Sequence, residues 1–308
     1  MINQFSKEFA LFFEKLRLSR NLTQEQFTKD VVSMRQYRRY IRGECLIPQY
    51  VVNKLSIRLG FKPEHIISEF DSERIRESSM VSSFYNAVAN QDYVKVKQYM
   101  KSITYDRLLD DQNKLLYNHS VNYYKHAIGK ISDEAITKIT MDALNYKTIL
   151  KNSVFSPVEL LLLTSLFTHD SFTEKSRLAE KLNEFLKNLD MIVIAQSDNM
   201  MLLVIYQLIK YYGVCKEYKK VVSLCDKAIE YNLTNKNYYL LDYFYYFNAL
   251  AHDKLENDSK VKDYLFRCFC ILYADDNQPK IKKFTKFIET DFRINYKQFV
   301  INHIPNTY

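Results

Sequence analysis

The chain has 308 residues, 47% of them hydrophobic, which supplies apolar mass for sizeable cores and excludes a disordered polymer. Only 4 Gly and 5 Pro occur, too few for a turn-rich sheet fold or a glycine-lined phosphate loop, so an all-α protein of long helices and short polar connections is expected. Of the net charge of +8, residues 1–70 hold +5, with 12 Lys and Arg against 7 Asp and Glu, which points to a small basic module fit for nucleic acid ahead of a nearly balanced body.

The five cysteines (Cys45, Cys215, Cys225, Cys268, Cys270) are odd in number, form no C-x-x-C pair and read as reduced thiols. The start MINQFSKEF lacks the basic-then-apolar run of a secretory signal. The greasiest stretches, Leu160 to Phe167 and Met200 to Tyr206, fall well short of the ~20 residues of a membrane span. A cytoplasmic protein without membrane association is expected. Neither a nucleotide-binding glycine loop, a nucleophile elbow nor H-E-x-x-H is present, and the six histidines are scattered, so neither enzymatic activity nor a metal or cofactor is expected.

In chain order, residues 7–19 place Phe9, Phe12, Phe13 and Leu16 at helical spacing. Thr23 with Gln26 three residues on forms a capping-box pattern that opens a second helix, with Phe27 as its first inward residue. After a turn at Asp30–Val32, Ser33 caps a third helix running to about Arg42, and Gly43 closes it. This third helix carries four arginines in eight residues, Arg35, Arg38, Arg39 and Arg42. Projection sets Met34, Arg35, Arg38 and Arg39 outward and Tyr37, Tyr40 and Ile41 inward. Pro48 opens a fourth helix with Val51, Val52, Leu55 and Leu59 inside, ended by Gly60, and Pro63 to Phe70 makes a short fifth. The polar stretch 71–80, DSERIRESSM, reads as a helical linker.

Beyond it the pattern changes. Tyr218, Val221, Cys225 and Ala228 fall at the spacing of the second helix of a tetratricopeptide unit, and Tyr93, Val96, Met100 and Ile103 repeat it, as do Asp258, Val261, Leu265 and Cys268. The interval from Val96 to Val221 leaves room for two more helix pairs at roughly 113–150 and 158–190. Stacked pairs bury apolar faces that none could bury alone and form a concave inner surface; an irregular all-α bundle is the alternative. The domain reading is 1–70 helix-turn-helix, 71–80 linker and 81–308 tetratricopeptide-like repeats.

The five-helix frame resembles the Cro/repressor type of helix-turn-helix. The matching residues are Thr23-Gln24-Glu25-Gln26-Phe27, Ser33, Arg42-Gly43-Glu44 and Pro48, while the turn has Asp30-Val31-Val32 where the family commonly has a glycine. The resemblance implies base-edge roles for Met34, Arg35 and Arg39, with Arg38 beside them, and phosphate contacts for Gln24, Ser33 and Arg42. Arginine suits bidentate contact with guanine O6 and N7, whereas phosphate contacts set position without reading sequence. A charge run that is only a solvated helix face is the competing explanation.

A helix-turn-helix followed by about five degenerate tetratricopeptide-like pairs, in a right-handed superhelix, resembles the Rgg/PlcR/PrgX (RNPP) group of peptide-pheromone-responsive transcription regulators of Gram-positive bacteria. Residues Ser33 to Glu44 are similar to that group's S-x-S-Q-x-S-R-F-E-R-G-E. The resemblance implies a homodimer on double-stranded operator DNA, controlled in quorum sensing by a short signalling peptide bound in the concave groove. Residues able to pair a peptide backbone or take its side chains are Asn118 and Asn122 in the second pair, Tyr206, Gln207 and Lys210 in the fourth, and Tyr246, Phe247 and Asn248 in the fifth. Gln207 stands by spacing where that group places a backbone-clamping asparagine. A DNA-tethered interaction protein, or a plasmid- or phage-type regulator whose repeats dock a protein partner, is the alternative function. A tyrosine packed in a core and an asparagine on an ordinary surface are the alternatives for the single residues.

Overall fold

The computed structural model describes residues 4–187 and 198–303, and these form seventeen α-helices and two single-turn 3-10 helices, with no strand among the described residues. Two compact units divide the chain between Ser132 and Asp133. The first holds α1 (Gln4–Ser19), α2 (Gln24–Thr28), α3 (Met34–Ile41), α4 (Gln49–Arg58), α5 (Pro63–Ala89), α6 (Tyr93–Ser102) and α7 (Asp111–Ala127). The second holds α8 (Asp133–Leu144), α9 (Tyr146–Ile149), α10 (Pro157–Ser165), α11 (Lys175–Lys187), α12 (Asp198–Val214), α13 (Tyr218–Thr234), α14 (Leu241–Lys254), α15 (Asp258–Asp275), α16 (Gln278–Phe292) and α17 (Tyr296–His303). Residues 188–190 of the pair expected over 158–190, and 1–3 of the N-terminal stretch, lie outside the described residues. No helix among the described residues is long and apolar enough to cross a membrane.

The caps act where the sequence places them. Thr23 Oγ1 accepts from the Gln26 amide at 3.1 Å, and the Gln26 side chain accepts from the Thr23 amide at 2.8 Å, a reciprocal pair that opens α2. Ser33 Oγ accepts from the Gln36 amide at 3.2 Å and opens α3. Such a cap contributes about 1 kcal/mol. Inside, Phe9, Phe12, Phe13, Phe27, Tyr37, Leu55 and Phe70 form one core, each large apolar side chain contributing on the order of 2 kcal/mol.

The fifth helix corrects the expectation that it ends at Phe70. It runs unbroken from Pro63 to Ala89. Neither Gly nor Pro interrupts it after Pro63, and Ile66, Phe70, Glu77, Val81, Phe84 and Val88 make one buried stripe along it. The polar stretch 71–80 is therefore the middle of a long helix. Glu77 is buried there, accepting from the amides of Leu109 at 2.8 Å and Asp110 at 3.1 Å and from Asn113 Nδ2 at 2.8 Å. Beside it Arg74 pairs with the buried Glu8 of α1 at 3.1 Å and with Asp110 at 3.4 Å. Leu109 itself sits in the core with Phe9 and Phe70.

The recurrent spacing marks helix starts: Tyr93, Tyr218 and Asp258 are the first residues of α6, α13 and α15, and Val96, Val221 and Val261 are buried one turn in. The turns ahead of them are alike. Gln91, Lys216 and Glu256 each adopt a left-handed backbone, with φ of 57°, 61° and 57°. The next amides, of Asp92, Glu217 and Asn257, donate to the carbonyls of Ala87, Tyr212 and His252 at 2.9, 2.9 and 3.0 Å. This is the geometry that closes a helix and launches its partner, here without glycine. Adjacent helices α12 to α15 then pack in sequence, and Asp226 of α13 ties the layers by accepting from Asn248 of α14 at 2.8 Å and Tyr264 of α15 at 3.1 Å.

Candidate functional site

Two surfaces collect the chemistry, one in each unit. On the first, α3 has Tyr37 and Tyr40 locked into the core, which turns Met34, Arg35, Arg38 and Arg39 to solvent. The turn between α2 and α3 is left-handed at Asp30, with φ of 57°, the conformation in which a glycine would be free of strain. Asp is one of the few other residues that enters it readily, so the helix pair keeps its angle with aspartate in place.

The arginines differ in their surroundings. Arg38 Nε donates to Gln24 Oε1 at 3.2 Å, and Gln24 Nε2 donates to Glu14 Oε1 at 3.1 Å, so the half-buried Gln24 is held between α1 and α3. Arg39 donates to Glu44 at 3.2 Å and to Gln36 at 3.2 Å, and Arg42 pairs with the same Glu44. Arg42 first, and then Arg39, hold the exposed Glu44 carboxyl below the usual range. Arg35 makes no hydrogen bond or ion pair among the described residues and is fully available. Ser33 is exposed, with its hydroxyl engaged as the cap of α3.

On the second unit, aromatic rings of α12, α14 and α16 form a continuous strip. Tyr206 meets Tyr243 edge-on at 5.2 Å and Phe247 at 6.0 Å, and Tyr243 and Tyr246 meet Phe284 at 4.7 and 5.7 Å. Lys210 Nζ stands 5.5 Å from the Tyr206 ring centroid. A cavity of about 360 Å³ opens beside Lys210 and Phe247, between α12, α13 and α14. Burial, and secondly the neighbouring Tyr243, push the Tyr206 hydroxyl well above its ordinary value, so it stays a neutral donor. Gln207 is half-buried and makes no hydrogen bond among the described residues, leaving a donor and an acceptor on one side chain.

Of the residues expected to line a groove, Tyr206, Lys210, Tyr246 and Phe247 are thus brought together. Tyr246 gives its hydroxyl to Asp291. Asn248 is fully buried, and its amide donated to Asp226 holds α14 on α13. Asn118 is exposed and Asn122 half-buried on α7, in the other unit.

With this geometry the chain superposes on three solved complexes. PlcR of Bacillus thuringiensis with the peptide PapR7 and DNA matches with a TM-score of 0.54 at 14% identity, over 90% of this chain and 98% of that one. ComR of S. thermophilus with DNA and its signalling peptide ComS matches at 0.52 and 14%, over 92% and 99%. ComR of Streptococcus vestibularis with its cognate signalling peptide XIP matches at 0.51 and 12%, over 93% and 99%. The chain has the fold of PlcR and ComR. No protein-family model matches the sequence, and no curated protein does.

On this PlcR- and ComR-like fold, sequence reasoning missed two residues that position these elements and one cation beside the aromatic strip. Arg58 of α4 donates to the carbonyls of Gln26 at 3.2 Å and Phe27 at 3.0 Å and to that of Lys29, satisfying the open C-terminal end of α2. Arg17, nearly buried, pairs with Glu14 at 2.6 Å and reaches the Leu22 carbonyl, fixing how the chain leaves α1. Arg58 lies 29 to 32 residues from the carbonyls it caps, and no local pattern announces that. Arg17, three residues after Glu14, carried a local signal, the i,i+3 charge pair. The third, Lys283 of α16, stands over the Phe287 ring at 5.6 Å.

Proposed function

We propose that this protein is a cytoplasmic, non-enzymatic transcription regulator that binds operator DNA as a homodimer and is controlled by a short signalling peptide. Residues 1–70 are its DNA-binding module, 71–80 lead out of it along α5, and 81–308 carry the helix pairs that bind peptide and dimerise. In this reading α3 enters the major groove. Arg35, with Met34, Arg38 and Arg39, meets base edges, and Gln24, Ser33 and Arg42 stand at phosphates, the division of labour of a helix-turn-helix. The peptide lies along α12 and α14, on Tyr206, Gln207, Lys210, Tyr246 and Phe247.

One observation carries the DNA half of the reading. Arg35 is an unpaired, exposed guanidinium on a helix whose opposite face is locked by two buried tyrosines. For the peptide half, the support is the aromatic strip with a free amide at Gln207, on a fold shared with proteins solved with peptides. Control requires that the peptide prefer one state of the dimer, because equal affinity shifts nothing.

The test begins by selecting duplexes from randomised DNA with the wild-type protein and measuring them by fluorescence anisotropy at fixed salt. Arg35→Ala should weaken the selected duplex roughly 10- to 100-fold, as expected for one lost bidentate arginine contact. Binding to random DNA and the helical circular dichroism should change little. Unchanged affinity for the selected duplex sinks the assignment of α3.

A further inference from the structure

The lysines along the aromatic strip are not equivalent. Lys280, over the Tyr243 ring, is spent on carboxylates, lying 2.9 Å from Asp242 and 3.1 Å from Asp275. Lys210 and Lys283 have no hydrogen bond or ion pair among the described residues. Their ammonium groups stand over Tyr206 and Phe287, two rings of the same cluster, linked through Phe247 and Tyr246. Both lysines are exposed to solvent along their side chains; partial burial and then the charge of Lys283 lower the pKa of Lys210. Two unneutralised cations over a partly desolvated apolar floor form an arrangement that an anion would complete.

Gly213 supplies the second observation. The chain has only 4 glycines, and the other three, Gly43, Gly60 and Gly129, have positive φ. Gly213 has no such backbone need: it lies within α12, and a Cβ built there meets nothing within 4 Å. Even in the last turn of a helix, where the cost is below the ~1 kcal/mol of an interior site, glycine is less favourable than alanine, and here no positive φ requires it. Its missing side chain is empty space in the cavity of about 360 Å³ that Lys210, Tyr218, Phe247 and Leu250 also line.

We propose that the groove is selective for an acidic peptide, with a carboxylate of the ligand seated on Lys210 at the mouth of the cavity, Lys283 adding to the positive field there, and an adjacent apolar side chain entering the cavity that Gly213 keeps open. This rests on the peptide-binding reading above and narrows it to one class of ligand. The carboxylate can be the peptide's C-terminus or an Asp or Glu side chain, since both present the same two oxygens.

The probes are three fluorescein-labelled hexapeptide pools made of Leu, Ile, Val and Phe. One ends in a free carboxylate, one in an amide, and one in an amide with a single Glu. Anisotropy with the full chain should show one or both acidic pools binding at least tenfold more tightly than the neutral amide, and which of them does so identifies the source of the carboxylate. The double variant Lys210→Met, Lys283→Met should erase that difference while still binding the neutral pool. Gly213→Phe should weaken all pools at least tenfold, and Gly213→Ala should raise the melting temperature of the free protein. Equal binding of acidic and neutral pools overturns the anion subsite and leaves peptide binding standing. A preference that survives in the double lysine variant overturns it too. If no pool binds, both the subsite and the peptide reading fall. If Gly213→Phe binds as the wild type does, the cavity is not part of the site.

Discussion

At the scale of single residues, Gln91, Lys216 and Glu256 hold the helix pairs in register from an unfavourable backbone region. A residue with a Cβ enters it at a cost of roughly 1 kcal/mol or more. Lys216 is exposed, so its side chain contributes little that would offset that cost. Lys216→Gly should therefore stabilise the protein by up to about 1 kcal/mol. The same change at Lys227, exposed in the middle of α13, should destabilise it by about 1 kcal/mol. Urea titrations of the two variants would show midpoints moving in opposite directions; movement in the same direction would contradict the account. The contrast explains why the helix spacing could be read from the sequence and the turns could not. Val96, Val221 and Val261 recur because apolar residues at those steps must be buried, so the recurrent spacing was legible in the sequence. The turn ahead of each was not, because lysine, glutamine and glutamate carry no signal of left-handed geometry.

At the scale of elements, helices are placed by polar contacts that bridge long stretches of sequence, and these were the least legible features. Arg58 on α2 is one case, and Asp133 is another. At the start of α8 it accepts from the Ser171 amide at 2.7 Å and faces His169 Nδ1 at 2.8 Å, fastening α8 to the segment before α11. Burial alone would raise its pKa, but the hydrogen bonds from Ser171 and the pairing with His169 outweigh it and bring the carboxyl to about 2. A carboxylate whose folded pKa lies below its unfolded value stabilises the fold above the unfolded pKa. That contribution is lost as pH falls through the folded pKa. Asp133→Asn should then lower stability at pH 7 by about 1–3 kcal/mol, the range for a hydrogen bond to a charged group. Relative to wild type, the deficit should shrink as pH drops from the ordinary carboxylate range toward about 2. Thermal melts of both proteins over that window test the claim, and a deficit independent of pH would assign the loss to packing instead. The candidate groove shows the same limit: Tyr206, Lys210 and Phe247 could be found by helical spacing, whereas Asn248 at equivalent spacing is turned inward by Asp226.

At the scale of the molecule, the bundle of α1 to α4 depends on later segments of the first unit, the second half of α5 and the start of α7. Residues 71–80 look like a solvated connection because they are polar, yet Glu77 is buried and its carboxylate receives three donors from the segment ahead of and inside α7. Leu109 closes the phenylalanine core of α1 and α5, and Arg74 ties Glu8 of α1 to Asp110. Hydropathy cannot reveal a buried carboxylate whose partners lie 32 to 36 residues away. A fragment cut at residue 70 would keep the caps and the arginines of α3 but lose the Leu109 side chain and leave the buried Glu8 carboxylate without Arg74. An uncovered apolar site costs on the order of 2 kcal/mol, and the loss of one charged hydrogen-bond partner from a buried carboxylate a further ~1–3 kcal/mol, a large part of the stability of so small a domain. Fragment 1–132 should accordingly melt cooperatively near the temperature at which the same segment melts in the full chain. Fragment 1–70 should melt at least about 10 °C lower or show no cooperative transition, given the several degrees expected per kcal/mol in a domain of this size. Calorimetry and far-UV circular dichroism on the two fragments decide the matter: equal melting temperatures would show that α5 beyond Phe70 and the α7 segment are dispensable to the bundle of α1 to α4, and the staple through Glu77 and Arg74 would then have no part in holding α3 in place.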